Sequence, residues 1–195
     1  MQKRVILVTG TPCVGKTTLA RRLTAKLKAR YINLTELAEK EHLTLGRDKE
    51  RGSTIVDEHK MRLRLRSLIS EAENTSVIID GHYAAAVAPK NSVTHVFVLR
   101  RNPAELRAFM QQCGFNERKQ SENLAAEILD VCLVEALQSQ TEGKVCELDV
   151  SGQTLDGTVD KVMAVLENRL RCGVGCVDWL GMLEREGKVD EYLKT

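Results

Sequence analysis

This chain has no apolar run near the ~20 residues that a membrane-spanning helix needs, so no span is expected. It has no excess of either charge. Its 29 Lys and Arg stand against 27 Asp and Glu, for a net +2, and no overall footprint for direct nucleic-acid binding appears. It has no C-x-x-C pair. Cys13, Cys113, Cys132, Cys146, Cys172 and Cys176 are scattered, and Cys172 and Cys176 have no histidine nearby. That pattern argues against zinc and for reduced thiols in a cytoplasmic protein. Repeats, low-complexity tracts and domain-dividing linkers are also missing. Met1 to Arg4 leads directly into an apolar run, leaving no room for a signal peptide. What remains is one domain of 195 residues, whose clear apolar periodicity argues against disorder.

Residues 10 to 17 read Gly-Thr-Pro-Cys-Val-Gly-Lys-Thr, a complete G-x-x-x-x-G-K-[ST] loop. Val5 to Val8 before it is a short apolar run suited to a buried parallel strand. After it, Leu19, Leu23 and Leu27 recur every four residues, one face of a helix. Strand, glycine loop and helix in this order give the motif its structural context. Small residues let the backbone around Gly10, Cys13, Val14 and Gly15 curl, so that its N–H groups form an anion nest at a helix N-terminus. Cys13 contributes mainly its backbone N–H. Lys16 is placed for the β- and γ-phosphates of a triphosphate, Thr17 for Mg²⁺, and Thr18 for the α-phosphate side.

Further strands are expected at 30–34, 77–80, 95–99 and 144–148. Helices are expected at 56–72, 103–112, 121–139 and 155–170, with a last one at 177–193 interrupted by Gly187. Strands alternating with helices indicate a parallel α/β sheet. Residues 35–54 are polar and poorly periodic, broken by Gly46 and Gly52, and read as an irregular insertion. Arg62, Arg64 and Arg66 read as the solvated face of a helix, with an RNA or phosphate contact as the alternative.

Asp80 ends an apolar strand, where a doubly wound sheet places its ligand crevice. There it either holds Mg²⁺ or caps the following turn. Gly81 permits close backbone approach. His82 either orients water or an acceptor phosphate, or is simply a hydrogen-bonded turn histidine.

The order of motifs resembles the atypical adenylate kinases of archaea and eukaryotic nuclei. The loop is followed by Tyr31-Ile32-Asn33, Val56-Asp57-Glu58 and Asp80-x-His82. Leu99-Arg100, Gly114 to Lys119, Glu122-Asn123, Ala126-Glu127-Ile128 and Val177-Asp178-Trp179 continue the likeness. The resemblance implies a P-loop nucleoside-monophosphate-kinase-like fold with a five-stranded parallel sheet. It implies a single domain over 1–195, an acceptor-binding insertion near 33–56, a short lid near 112–122 and a C-terminal helix near 177–193. The implied reaction is ATP + AMP = 2 ADP with Mg²⁺, with ATPase activity alongside and binding to a platform protein of the small ribosomal subunit. Lys16, Asp80 and His82 are then catalytic. Gly10, Cys13, Val14, Gly15, Lys16, Thr17 and Thr18 bind ATP, Thr17 and Asp80 hold the metal, and Asn33, Gly81 and His82 face AMP.

This chain departs from that family at three places. The family usually has arginines where Phe109 and Cys113 stand, Cys113 being a nucleotide-contacting lid position, and often one where Glu39 stands. A cation on the transferring phosphoryl group is worth roughly 10³ to 10⁵ in rate by analogy with arginine fingers. Arg107, Arg118 and Lys119 are the substitutes available in the lid, and Lys40 or Arg47 at the acceptor. Arg107 faces away from Phe109 on a helix, so Arg118, beyond the glycine break, is the expected catalytic cation.

Overall fold

The computed structural model describes residues 3–48 and 53–193. Met1, Gln2 and the expected break at Gly52 lie outside them.

Five parallel strands form the central sheet in the order β2-β5-β1-β6-β7. They are β1 (Val5–Gly10), β2 (Arg30–Asn33), β5 (Val77–Asp80), β6 (His95–Arg100) and β7 (Val145–Asp149). Period-two alternation explains why these strands read as unbroken apolar runs. Val5, Leu7, Val77, Ile79, Val96 and Val98 face one core, while Ile6, Val8, Ile78, Phe97 and Leu99 face the other. The first core is closed by α3 (Glu58–Glu71), α4 (Ala84–Val87) and α7 (Val131–Ser139). The second is closed by α1 (Lys16–Leu27), α5 (Pro103–Gln112), α6 (Glu117–Ile128), α8 (Leu155–Leu166), α9 (Trp179–Glu186) and α10 (Val189–Tyr192). Gly187, with φ 67°, separates the last two helices as expected.

Four expectations need correction. The 35–54 segment is not irregular: α2 (Leu34–Lys40) is followed by an antiparallel hairpin, β3 (Thr44–Asp48) and β4 (Ser53–Val56). Asn33 starts α2 by accepting from the Thr35 and Glu36 amides, and Leu34 and Ala38 are its buried positions. Two buried residues make too thin a stripe for periodicity to register. The 121–139 helix is two helices, α6 and α7, broken at Asp130, which adopts left-handed φ 58° and accepts from Arg100. The arginine set is not simply solvated: Arg64 bridges Glu41 at 2.7 Å and Glu71 at 3.2 Å, and Arg62 donates to the Ala86 carbonyl. Finally, Cys146 and Cys172 are joined as a disulfide across 26 residues, so the six thiols are not all free.

Among the described residues, no helix is long and apolar enough to cross a membrane.

Candidate active site

The phosphate loop begins where β1 meets β6. A Cβ on Gly10 (φ 133°) would lie 2.5 Å from the Leu99 carbonyl oxygen, so only glycine lets the chain turn here. The loop closes with the Val14 amide donating to the Thr11 carbonyl at 3.3 Å. Gly15 (φ 110°) caps α1 without a side-chain bond, leaving the first-turn amides of that helix open toward the cleft. Lys16 Nζ folds back over the loop and donates to the Thr11 carbonyl at 2.8 Å. Burial holds the Lys16 ammonium below its ordinary pKa, while nearby acidic groups, Asp80 and Glu127 among them, act in the opposite direction. Thr18 and Cys13 line the same loop-side cavity.

Asp80, at the carboxyl end of β5 and buried, is where three elements converge. Its Oδ2 accepts from Thr17 Oγ1 at 2.7 Å, Tyr31 OH at 2.8 Å and Asn33 Nδ2 at 3.1 Å. The parallel register sets Asn33 beside Asp80, and Asp80 beside Val8 of β1. A hydroxyl and a carboxylate at the mouth of a phosphate loop are the hard oxygen donors that suit Mg²⁺, which keeps waters and substrate oxygens as its other ligands. The donor set therefore fits the ion. Tyr31 is a site residue that sequence reasoning left without a role. Its signal was present: Tyr31 and Asn33 alternate on one face of an edge strand beside Asp80.

Two residues expected to face the acceptor are engaged elsewhere. Both ends of the Asn33 amide are occupied, one capping α2 and the other on Asp80. Gly81 is required by packing, since a Cβ there would come within 2.7 Å of the Leu34 side chain. His82 is in the cleft. Its carbonyl accepts from Thr9 Oγ1 at 3.0 Å, and its ring meets Tyr83 edge-on at 4.9 Å. The residue is solvent-exposed overall, yet its ring is desolvated by the surrounding protein. That desolvation, followed by the Lys16 and Lys119 ammoniums, pulls its pKa from 6.5 down to about 4, so the ring is neutral at physiological pH.

On the lid side the cations sort differently from the expectation. Arg118 points to Glu122 at 3.2 Å on the exposed face of α6. Lys119, the next residue, lies over the Phe115 ring at 4.7 Å and close enough to act on both Cys13 and His82. Asn116 caps α6 by accepting from the Lys119 amide. Arg107 is held by the tail, bonded to Glu191 at 2.7 Å and stacked on Tyr192. Cys113 caps α5, and Gly114 (φ 72°) turns the chain into the lid corner.

Arg101, which the sequence did not single out, donates to the Val14 carbonyl at 3.3 Å and covers the Phe109 ring at 4.8 Å. It forms one wall of a cavity of about 290 Å³ that opens beside the loop and is also lined by Phe109, Gln153 and Leu155.

A buried ionic brace supports the loop from below. Arg100 bonds Glu127 at 2.9 Å, Glu147 at 2.6 Å and Asp130. Glu127 also accepts from Thr11 Oγ1 at 2.5 Å, the Arg101 amide at 3.0 Å and Trp179 Nε1 at 3.1 Å. One carboxylate thus joins the phosphate loop, β6, α6 and the tail helix.

A family model described as AAA domain matches residues 6–130. A Methanocaldococcus jannaschii protein named "Putative adenylate kinase" is 34% identical over 89% of this chain and 92% of its own length. An Archaeoglobus fulgidus protein of the same name is 33% identical over 97% of this chain and 98% of its own length. This chain belongs to the atypical adenylate kinase family. As a member of that family it is a kinase with a nucleotide-binding phosphate loop. Its fold is also that of more distant P-loop kinases. Shikimate kinase from Acinetobacter baumannii superposes with a TM-score of 0.61 at 17% identity, covering 87% of this chain and 96% of that one. Thymidylate kinase from Candida albicans gives 0.56 at 17% identity, covering 86% and 92%.

Proposed function

We propose that this member of the atypical adenylate kinase family transfers the γ-phosphoryl group of ATP to AMP in the cytoplasm, giving two ADP. The observation that carries the reading is the meeting of Thr17 and Asp80 beside Lys16, at the carboxyl edge of the sheet. The cavity between Arg101, Phe109 and Leu155 has a largely apolar lining that suits the ATP base. The loop amides and Lys16 hold the phosphates, the lysine leaving the Thr11 carbonyl to do so. Mg²⁺, when bound through Thr17 and Asp80, neutralises charge across the β- and γ-phosphates. Lys119 approaches from the lid as the cation on the phosphoryl group in flight. Neutral His82 orients the attacking oxygen by hydrogen bonding, without adding charge. Phosphoryl transfer needs position and charge more than covalent chemistry, and these groups supply both.

Water in the acceptor position gives ATP hydrolysis, and one observation favours a larger share for it. The acceptor-side cations Lys40 and Arg47 are exposed on α2 and the hairpin, and Glu39 is an exposed acid. In this second reading the cycle of hydrolysis serves small-subunit ribosome maturation, through release from a platform protein. The test supplies Mg²⁺-ATP with and without AMP and follows ADP and inorganic phosphate separately. ADP formed from AMP without matching phosphate supports transfer, while phosphate release indifferent to AMP overturns it. Lys16→Ala should lose both activities.

A further inference from the structure

Two free cysteines lie near each other, one in the phosphate loop and one at the end of α5. Cys13 sits in the phosphate loop with left-handed backbone, φ 66°, and Cys113 caps α5 at the start of the lid. The face of α5 that looks at the loop is fixed by Phe109, which lines the same cavity as Cys13 and Val14 and packs under Arg101. Cys113 follows one turn later, its amide donating to the Phe109 carbonyl at 2.9 Å, and so lies on that same face. There its thiol lies close to the thiol of Cys13.

We propose that Cys13 and Cys113 form a reversible oxidation site, a disulfide that staples the phosphate loop to the lid and closes the nucleotide site. The bond itself needs only the two thiols. Its consequence rests on the reading of residues 10–18 as the nucleotide site.

The chemistry balances with a peroxide as oxidant. Cys113 is exposed and meets it first. Its thiolate attacks hydrogen peroxide, the O–O bond breaks, a sulfenic acid forms and one water leaves. The Cys13 sulfur then attacks the Cys113 sulfur, the S–S bond forms and the second water leaves. Two thiols and one peroxide become one disulfide and two waters, and a dithiol reverses the change by being oxidised itself. Burial, then the neighbouring Cys113, raises the Cys13 thiol to about 11, so the exposed Cys113 and not Cys13 is the sulfur that meets peroxide. With the sulfurs joined, loop and lid corner are fixed to each other, so the lid corner cannot move off the loop to admit or release nucleotide. Bound nucleotide should in turn keep the sulfurs apart.

The full-length protein, reduced with dithiothreitol and desalted, is exposed to hydrogen peroxide with and without saturating Mg²⁺-ATP. Non-reducing peptide maps are read by mass spectrometry, and Mg²⁺-ATP affinity by calorimetry. A cross-linked Cys13–Cys113 peptide is expected, suppressed by Mg²⁺-ATP. The oxidised protein should bind Mg²⁺-ATP about tenfold more weakly or worse, with affinity restored by dithiothreitol. Cys113→Ser retains Cys146 and Cys172, so its oxidised and reduced forms should bind alike, whereas Cys132→Ser should respond as the parent does. Absence of the cross-linked peptide, or a bond that leaves affinity unchanged, overturns the proposal. Reduced protein that binds no Mg²⁺-ATP overturns the nucleotide-site reading and the consequence drawn from it, while the peptide map still judges the bond.

Discussion

Thr17 donates its hydroxyl hydrogen to Asp80 at 2.7 Å, linking the first turn of α1 to the end of β5. The same carboxylate oxygen takes Tyr31 and Asn33, so its position is set by three donors that lie outside the loop of the strand bearing it. Asp80→Asn keeps an acceptor oxygen for Thr17 and Tyr31 but removes the charge a dication needs. The turnover rate should fall by roughly 10² to 10³, the scale for loss of one preorganised electrostatic group. Steady-state assays at varied Mg²⁺ read this, and the thermal midpoint should move by only a few degrees. If activity and stability fall in parallel, Asp80 is a packing residue and the metal assignment is wrong.

Lys119 and Arg118 are adjacent in sequence but opposite in placement. Lys119 acts on Cys13 and His82, whereas Arg118 sits in an exposed pair with Glu122. Lys119→Ala should cost about 10³ or more in turnover, in line with a cation that acts on the transferring group. Arg118→Ala should stay within about threefold, because an exposed pair one turn apart is worth only about 0.3–0.5 kcal/mol. Single-turnover rates separate the two, and the reverse ranking would restore Arg118 to the role first expected of it.

Local pattern and non-local contact account for what the sequence disclosed and what it hid. The phosphate loop, the central strands and the helix at Pro103–Gln112 were legible because each is written in adjacent residues. The break at Asp130 was not, because it is made by Arg100, an arginine whose burial no local window reveals. Choosing Lys119 over Arg118 required their tertiary contacts, Lys119 over the Phe115 ring and Arg118 paired with Glu122. Asn33 looked like an acceptor ligand because its motif position suggested one. Its amide turned out to be shared between the start of α2 and Asp80.

His82 offers a pH-dependent readout of the cleft. Its folded pKa, about 4, lies below the ordinary 6.5, with burial the first cause and the Lys16 and Lys119 charges next. The unfolded chain therefore takes up a proton first as pH falls. Stability from this group is complete above about 6.5 and is lost as pH drops toward 4, modestly, since the residue is solvent-exposed overall. NMR titration of the ring protons should give a midpoint well below 6.5, and Lys119→Gln should raise it. Urea midpoints of His82→Gln should decline less between pH 7 and 4.5 than those of the parent. A folded-state midpoint at 6.5 would mean that neither burial nor the Lys16 and Lys119 charges act on the ring.

Glu127 gives the sharpest stability prediction, because so much converges on one buried carboxylate. Removing it leaves Arg100 with Glu147 and Asp130, and strands the Thr11 hydroxyl and the Trp179 N–H. Breaking one partner of a buried pair costs about 3–5 kcal/mol, so Glu127→Ala should sit at the edge of folding. Thr11→Val removes only one donor from a carboxylate that keeps others, and should cost about 1–2 kcal/mol. Trp179→Phe should cost a similar amount. Urea unfolding measures each, with unchanged slopes expected. A double-mutant cycle between Thr11→Val and Trp179→Phe then asks whether loop and tail are coupled through Glu127. Strict additivity would mean that the carboxylate holds each partner independently, and that the tail helix braces the core without communicating with the phosphate loop.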